Sequence, residues 1–303
     1  MTGPSAAVLA ELRVRADSVR TLKDVPGENA SWLVRTVTDE RVVLRRYHAG
    51  ATAGDLAYEY AVLGHLAGAG WVVPEPVSDV TEHDGRYYCL TRFVPGRAVW
   101  PESVPQRRRR GRDLARLHLA LRDLGPRIGQ RQGWRPQHAG PTVHTGLDWP
   151  ACVSDLLAVS PRLGEWAQAA ATQIGGSLAA IGASALPLTV VHGDFAEWNV
   201  HYEPGGGLAG VIDFGLTHLD SRAYELAIAR TYRAPQAAAA YGAELAALGW
   251  PLTDLEQAAL EPVYRAFRLD QAAWSVRDGL QAGQIDLAAV ERHLVRTGTP
   301  APG

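Results

Sequence analysis

Two short segments hold the residues whose types and spacing could do chemistry: His192-Gly193-Asp194-Phe195-Ala196-Glu197-Trp198-Asn199 and Ile212-Asp213-Phe214-Gly215. Asp213 falls fourteen residues after Asn199. An aspartate, an asparagine and a second aspartate at this spacing suit phosphoryl transfer, where the protein aligns an acceptor hydroxyl and neutralises charge on phosphate oxygens. Asp194 is placed to accept the hydroxyl proton. Asn199 and Asp213 offer oxygen ligands to Mg²⁺, a hard cation that keeps several waters and needs no full protein cage. Either segment alone fits a turn cap or a surface acid; the pairing is the specific signal.

Residues 186–191 read as a short buried strand that delivers the first segment, and residues 207–212 as a second strand that ends at Asp213. The glycine-rich stretch between them, 201–207, reads as a hairpin turn that brings Asn199 and Asp213 together.

H-G-D-F-x₃-N with I-D-F-G resembles the aminoglycoside phosphotransferase and choline kinase-like superfamily, small-molecule kinases related to protein kinases. Gly193 stands where protein kinases usually carry arginine. The resemblance spans residues 20–280. It implies an α+β, bilobal protein-kinase-like fold with ATP or GTP in the cleft and Mg²⁺ at the metal site. Residues 1–95 would form a small β-rich N-lobe with a nucleotide-covering hairpin and one helix. Residues 96–303 would form a mainly helical C-lobe with the catalytic loop, the DFG-type metal site and the acceptor pocket.

Upstream, residues 22–24, 32–37 and 41–46 read as strands around a turn at 25–31, similar to that hairpin. Gly27 is the turn's only glycine, so Asn29 and Ser31 are candidates to hydrogen-bond the phosphates through side chains. The chain's one lysine, Lys23, precedes the turn, which leaves Arg45 as the phosphate cation on the third strand. Strand alternation places Val43 on the same face, over the base, and turns Arg46 away; a one-residue slip exchanges the two arginines. A helix over 55–68 carries Glu59, which matches the acid that orients this cation in the family. Residues 72–77 and 86–94 read as further strands, the latter meeting a hinge at Pro95-Gly96, so the backbone of Arg92, Phe93 and Val94 is expected along the base edge.

Helices are expected over 106–124, 148–159, 161–181, 221–233, 235–248, 254–279 and 286–296, with Asp220 and Thr253 as caps. Arg107, Arg108, Arg109, Arg110 and Arg112 read as a solvated helix face. No aromatic residues interleave with them, no second basic cluster accompanies them, and the net charge is −2, which argues against nucleic acid. His118 and Glu225 read as structural supports. Residues 125–149 lack periodicity and read either as an excursion touching the acceptor or as a plain connector.

Two cysteines, Cys89 and Cys152, provide no disulfide framework, and no apolar run is long enough to span a bilayer. A leaderless start and this cysteine usage lead to the expectation of a cytoplasmic protein. From Pro136 onward 17 acidic residues face 9 arginines, a balance that would steer a cationic acceptor. Among nine tryptophans, Trp134, Trp149, Trp198 and Trp274 fall in segments the family uses near its acceptor, and Glu197 adjoins Trp198. Glu197, Trp198 and Trp274 are the candidate acceptor contacts. The expected function is transfer of the γ-phosphoryl group of ATP or GTP to a small-molecule hydroxyl, with an antibiotic or similar natural product first. A metabolic acceptor such as homoserine, choline or a sugar is the alternative, and a silent nucleotide-binding module is the reading from another class. The short 215–221 segment leaves little room to dock a peptide.

Overall fold

Alternating small, aromatic and β-branched residues in Ala30–Thr36 produce a strand that buries Ala30, Trp32 and Val34 on one face. The computed structural model describes residues 4–24, 28–231 and 235–302. In chain order it runs α1 (Ala6–Glu11), β1 (Ala16–Lys23), β2 (Ala30–Thr36), β3 (Arg41–Arg46), α2 (Ala53–Gly68), β4 (Thr81–His83) and β5 (Arg86–Arg92). There follow α3 (Val104–Leu121), α4 (Gly125–Ile128), α5 (Trp149–Val159), α6 (Pro161–Ala180), β6 (Thr189–Val191), β7 (Val200–Tyr202), β8 (Leu208–Val211) and β9 (His218–Asp220). Four helices close the chain: α7 (Arg222–Thr231), α8 (Pro235–Ala247), α9 (Asp254–Gln281) and α10 (Leu287–Val295). No helix of the described residues is long and apolar enough to cross a membrane.

Two compact units share these elements, one made of residues 1–100 and 197–215 and the other of 101–196 and 216–303. The first carries an antiparallel sheet in the order β1-β2-β3-β5-β4. Trp32, Val34, Leu44 and Leu90 form its core with Val8 and Leu12 from the N-terminal segment. The hairpin β7–β8 belongs to this unit because its backbone is bonded there. Arg97 and Tyr202 exchange both N–H···O bonds, at 3.1 and 2.9 Å, and Val211 N–H donates to Val72 O at 3.0 Å. The division therefore falls after Trp100, where the sequence suggested a boundary at 95/96, and it draws the segment from Glu197 to Gly215 into the sheet-bearing unit.

The second unit is helical apart from the two-stranded ribbon β6–β9. Its core gathers Leu156, Trp166, Tyr224, Phe267 and Val276 around α9, whose start is capped by Thr253 and Glu256 acting reciprocally. Residues 125–149 are a packed part of this unit. Gln130 exchanges two 2.9 Å bonds with Leu219, Arg131 Nη1 donates to Thr217 O at 3.1 Å, and Gln137 N–H donates to Asp220 at 2.7 Å. Val143 N–H donates to Asp270 at 3.1 Å, and Trp134 is buried in the core.

Several expectations are corrected. Residues 72–77 form no strand: Pro74 and Pro76 lack the N–H a ladder needs, and a single bridge between Pro76 and Thr91 remains. Helix α1 and strands β4 and β9, each of six residues or fewer, were not anticipated. The turn with Gly27 and the helix end at Arg233 lie outside the described residues. The arginine run is no uniformly solvated face, since Arg110 is 1% exposed.

Helices α3 and α8 approach so closely that a Cβ at Gly111 would lie 2.0 Å from Ala237 O. Gly111→Ala is expected to cost about 1–3 kcal/mol through overpacking, read as a lower denaturation midpoint. Burial pushes the Asp270 carboxyl up to about 7, against the lowering effect of its bonds from Val143 and Trp274. The folded protein then keeps a proton that the unfolded chain loses near 3.8, so this group's contribution to stability declines as pH rises from about 4 to about 7. Denaturant unfolding of Asp270→Asn across that range is expected to show a slope shallower than the parent's by roughly 4 kcal/mol in total.

Candidate active site

In the helical unit, β6 leads directly into His192, Gly193 and Asp194. Glu225 on α7, 1% exposed, accepts the N–H of His192 at 2.7 Å and of Gly193 at 3.2 Å. His118 Nε2 lies 3.4 Å from the same carboxylate, and His118 Nδ1 lies 2.7 Å from the Tyr241 hydroxyl. Burial opposes ionisation of Glu225, yet the hydrogen bond and charge of His118, with His192, hold its pKa below the ordinary carboxylate value. Gly193 has φ +88°, and a Cβ there would lie 2.2 Å from Leu216 O. No side chain fits, which gives a physical reason for glycine at this position.

Asp194 N–H donates to His192 Nδ1 at 3.2 Å, and the Asp194 side chain is half-buried. The next carbonyl, Phe195 O, accepts Arg110 Nη1 at 2.9 Å. Arg110 also forks onto Glu102, with Nε and Nη2 each 3.0 Å from a carboxylate oxygen. Sequence reasoning passed over Glu102 and read Arg110 as solvated, because neither residue carries a local sign of burial.

In the sheet-bearing unit, Val200 pairs with Val211, and Ile212 N–H donates to Asn199 O at 2.9 Å. The hairpin thus places Asn199 and Asp213 at its same end. Asn199 is buried, while the Asp213 side chain is 43% exposed at a backbone φ of +63°. Arg45, 8% exposed, donates Nη1 to Glu59 at 3.0 Å and Nη2 to Asp213 at 3.3 Å. Burial works against its charge, but Glu59 first, then Tyr47 and Asp213, hold the Arg45 pKa above the ordinary arginine value. Arg46 turns elsewhere, to Asp24 at 3.1 Å and over the Trp32 ring. Arg45 is the arginine that meets Glu59 and Asp213.

The other candidates fall as follows. Val43 pairs with Leu33 and Thr91, and Ser31 lies opposite Arg45 in the β2–β3 register. Asn29 Oδ1 accepts His48 N–H at 2.9 Å. Arg92 N–H donates to Glu75 O at 2.8 Å, the Phe93 ring lies under Arg41, and Val94 is buried. Glu197 is buried, and Trp198, 41% exposed, meets Trp100, 72% exposed, edge to face at 6.5 Å. Trp274, in the helical unit, donates Nε1–H to Asp270 at 3.1 Å and carries Arg277 over its ring.

Among the described residues no cluster of three or more His, Cys, Asp or Glu forms a metal cage. One carboxylate and one amide oxygen at the same hairpin end fit Mg²⁺, whose remaining ligands are waters and phosphate oxygens. Glu59 is 2% exposed, so losing the Arg45 guanidinium removes a favourable charge from beside a buried carboxylate. Arg45→Ala is expected to cost about 3–5 kcal/mol in denaturant unfolding, and Arg46→Ala less than about 1 kcal/mol.

A sequence model described as the phosphotransferase enzyme family matches residues 21–267. Homoserine kinase of Granulibacter bethesdensis is 32% identical over 213 residues, covering 67% of this chain and 60% of that protein. Homoserine kinase of Azorhizobium caulinodans is 31% identical over 247 residues, covering 75% of this chain and 69% of that protein. The match to the first of these therefore spans less than two thirds of that protein's length. Among solved structures, a thermostable mutant of aminoglycoside phosphotransferase APH(4)-Ia in ternary complex with ADP and hygromycin B superposes with a TM-score of 0.66. Identity there is 17%, over 98% of this chain and 97% of that one. A GDP and kanamycin complex of another aminoglycoside phosphotransferase gives 0.63 at 16% identity, over 96% and 95% of the two chains. At these identities the likeness shows the fold, which is α+β and protein-kinase-like. With the family sequence model spanning most of the chain, the protein belongs to the phosphotransferase enzyme family.

Proposed function

We propose that the chain transfers the γ-phosphoryl group of ATP or GTP to a hydroxyl of a small molecule, with a hydroxy amino acid such as homoserine as the first candidate acceptor. The observation that carries the reading is the Arg45–Glu59–Asp213 chain of contacts at the hairpin end that also holds Asn199. A guanidinium fixed by a buried carboxylate is pre-oriented for phosphate oxygens. Asn199 and Asp213 would hold Mg²⁺, which supplies charge neutralisation of the phosphates when bound. Phe93 and Val94 would border the base with Val43, and Asn29 and Ser31 would bond phosphate oxygens.

Asp194 takes the acceptor proton. Its loop enters through two amides committed to Glu225, so the carboxylate is held in place before substrate arrives, and general base catalysis at such a group is worth about 10²–10⁴ in rate. The acceptor choice is supported by sequence relatives named homoserine kinases at 28–32% identity. A second reading, a larger antibiotic-type acceptor, is favoured by the exposed pair Trp100 and Trp198, since Trp198 lies inside the catalytic loop beside Glu197.

Product formation is to be followed by mass spectrometry over homoserine, choline, sugars and aminoglycosides, with Mg·ATP and Mg·GTP in parallel. A phosphorylated product is expected from at least one acceptor. Asp194→Asn is expected to lower kcat by about 10²-fold or more while nucleotide affinity changes less than about threefold. Asp213→Ala should weaken Mg·nucleotide binding in calorimetry. Full turnover in Asp194→Asn contradicts the assignment.

A further inference from the structure

We propose that Arg110 and Glu102 are a positioning pair that fixes the backbone just after Asp194 and so aims the carboxylate that takes the acceptor proton. The proposal rests on the phosphotransferase reading above.

Arg110 lies on the second turn of α3 and Glu102 precedes its N-cap, Ser103. Their side chains are 1% and 4% exposed. Burying an ion pair is unfavourable unless geometry and extra hydrogen bonds compensate for lost water. Here the guanidinium fork is matched to both carboxylate oxygens, at 3.0 Å each, and the remaining terminal nitrogen donates to Phe195 O at 2.9 Å. A pair serving only the start of α3 would not need that third bond. It ends on the peptide that follows Asp194 by one residue.

The loop is thus clamped on both sides of Asp194 by buried groups of opposite sign. Glu225 takes the amides of His192 and Gly193, and Arg110 gives to the carbonyl of Phe195. The helix that carries Arg110 has little freedom, because the adjacent Gly111 sits against Ala237 of α8. Catalytic groups need placement within about 0.5 Å, and a misplacement of about 1 Å can cost about 10² in rate. Lysine at 110 keeps the charge but has no planar fork, so it cannot hold both Glu102 oxygens and the carbonyl in the same geometry.

The test compares the full-length protein with Arg110→Lys and Glu102→Gln, by steady-state kinetics and by hydrogen–deuterium exchange. Arg110→Lys is expected to lower kcat about 10- to 100-fold, with the nucleotide KM within about twofold. In an Asp194→Asn background it should cause almost no additional loss, because a group that acts only through Asp194 has nothing left to position. Exchange should quicken in the peptide covering 194–199 and stay unchanged in α5 and α6. Glu102→Gln, which keeps the shape but weakens the fork, should show the same pattern at smaller amplitude and serves if Arg110→Lys does not fold. Unchanged loop exchange, full multiplicative loss in the Asp194→Asn background, or faster exchange throughout the helical unit each overturns the proposal. If the parent protein phosphorylates no acceptor, the functional reading fails by itself, and the exchange arm still decides whether the pair fixes the loop.

Discussion

A single buried carboxylate, Glu225, governs how the loop that carries Asp194 enters. Two successive backbone amides, of His192 and Gly193, have no strand partner where β6 ends, and unmatched buried N–H groups are costly. The carboxylate takes both, and His118, backed by Tyr241, keeps it ionised despite full burial. The left-handed turn at Gly193 follows, since the chain must bend there past Leu216 O. Asp194 then leaves the turn half-buried, tied to His192 through its own amide.

The sheet-bearing unit applies the same logic with the sign reversed. Arg45 carries its charge on a central strand, where burial without partners would be prohibitive, and Glu59 and Asp213 compensate it. The result is a cation and a carboxylate held at fixed separation at the open end of β7–β8. Asp213 meets a buried guanidinium in this unit, and in the other Asp194 follows a turn whose amides end on a buried carboxylate.

How much of this was legible in the chain depends on distance along it. The spacing of Asp194, Asn199 and Asp213 is local and was readable, as was the alternation that separates Arg45 from Arg46, and the cap at Thr253. The strand expected over 72–77 failed because its two prolines outweigh its valines once ladder bonds are required. Three-residue strands such as β9 are too short to show a period and form because β6 is there to pair with. The burial of Arg110 could not be read, since it depends on Phe195, 85 residues away, and on a carboxylate on the far side of a helix cap. The packed state of 125–149 has the same origin, in long-range bonds from Leu219, Asp220 and Asp270.

The motif chemistry leaves the acceptor open, because one fold carries the same transfer to unlike hydroxyls. The claim beneath every other is that the γ-phosphoryl group passes to an acceptor oxygen. ATP or GTP labelled with ¹⁸O throughout the γ-phosphate tests it in one measurement, by mass spectrometry of the acceptor. The account predicts a phosphomonoester carrying three labelled oxygens, with the bridging oxygen unlabelled because it belonged to the acceptor hydroxyl. Label found only in inorganic phosphate, or retained in the nucleotide with every acceptor, would contradict it.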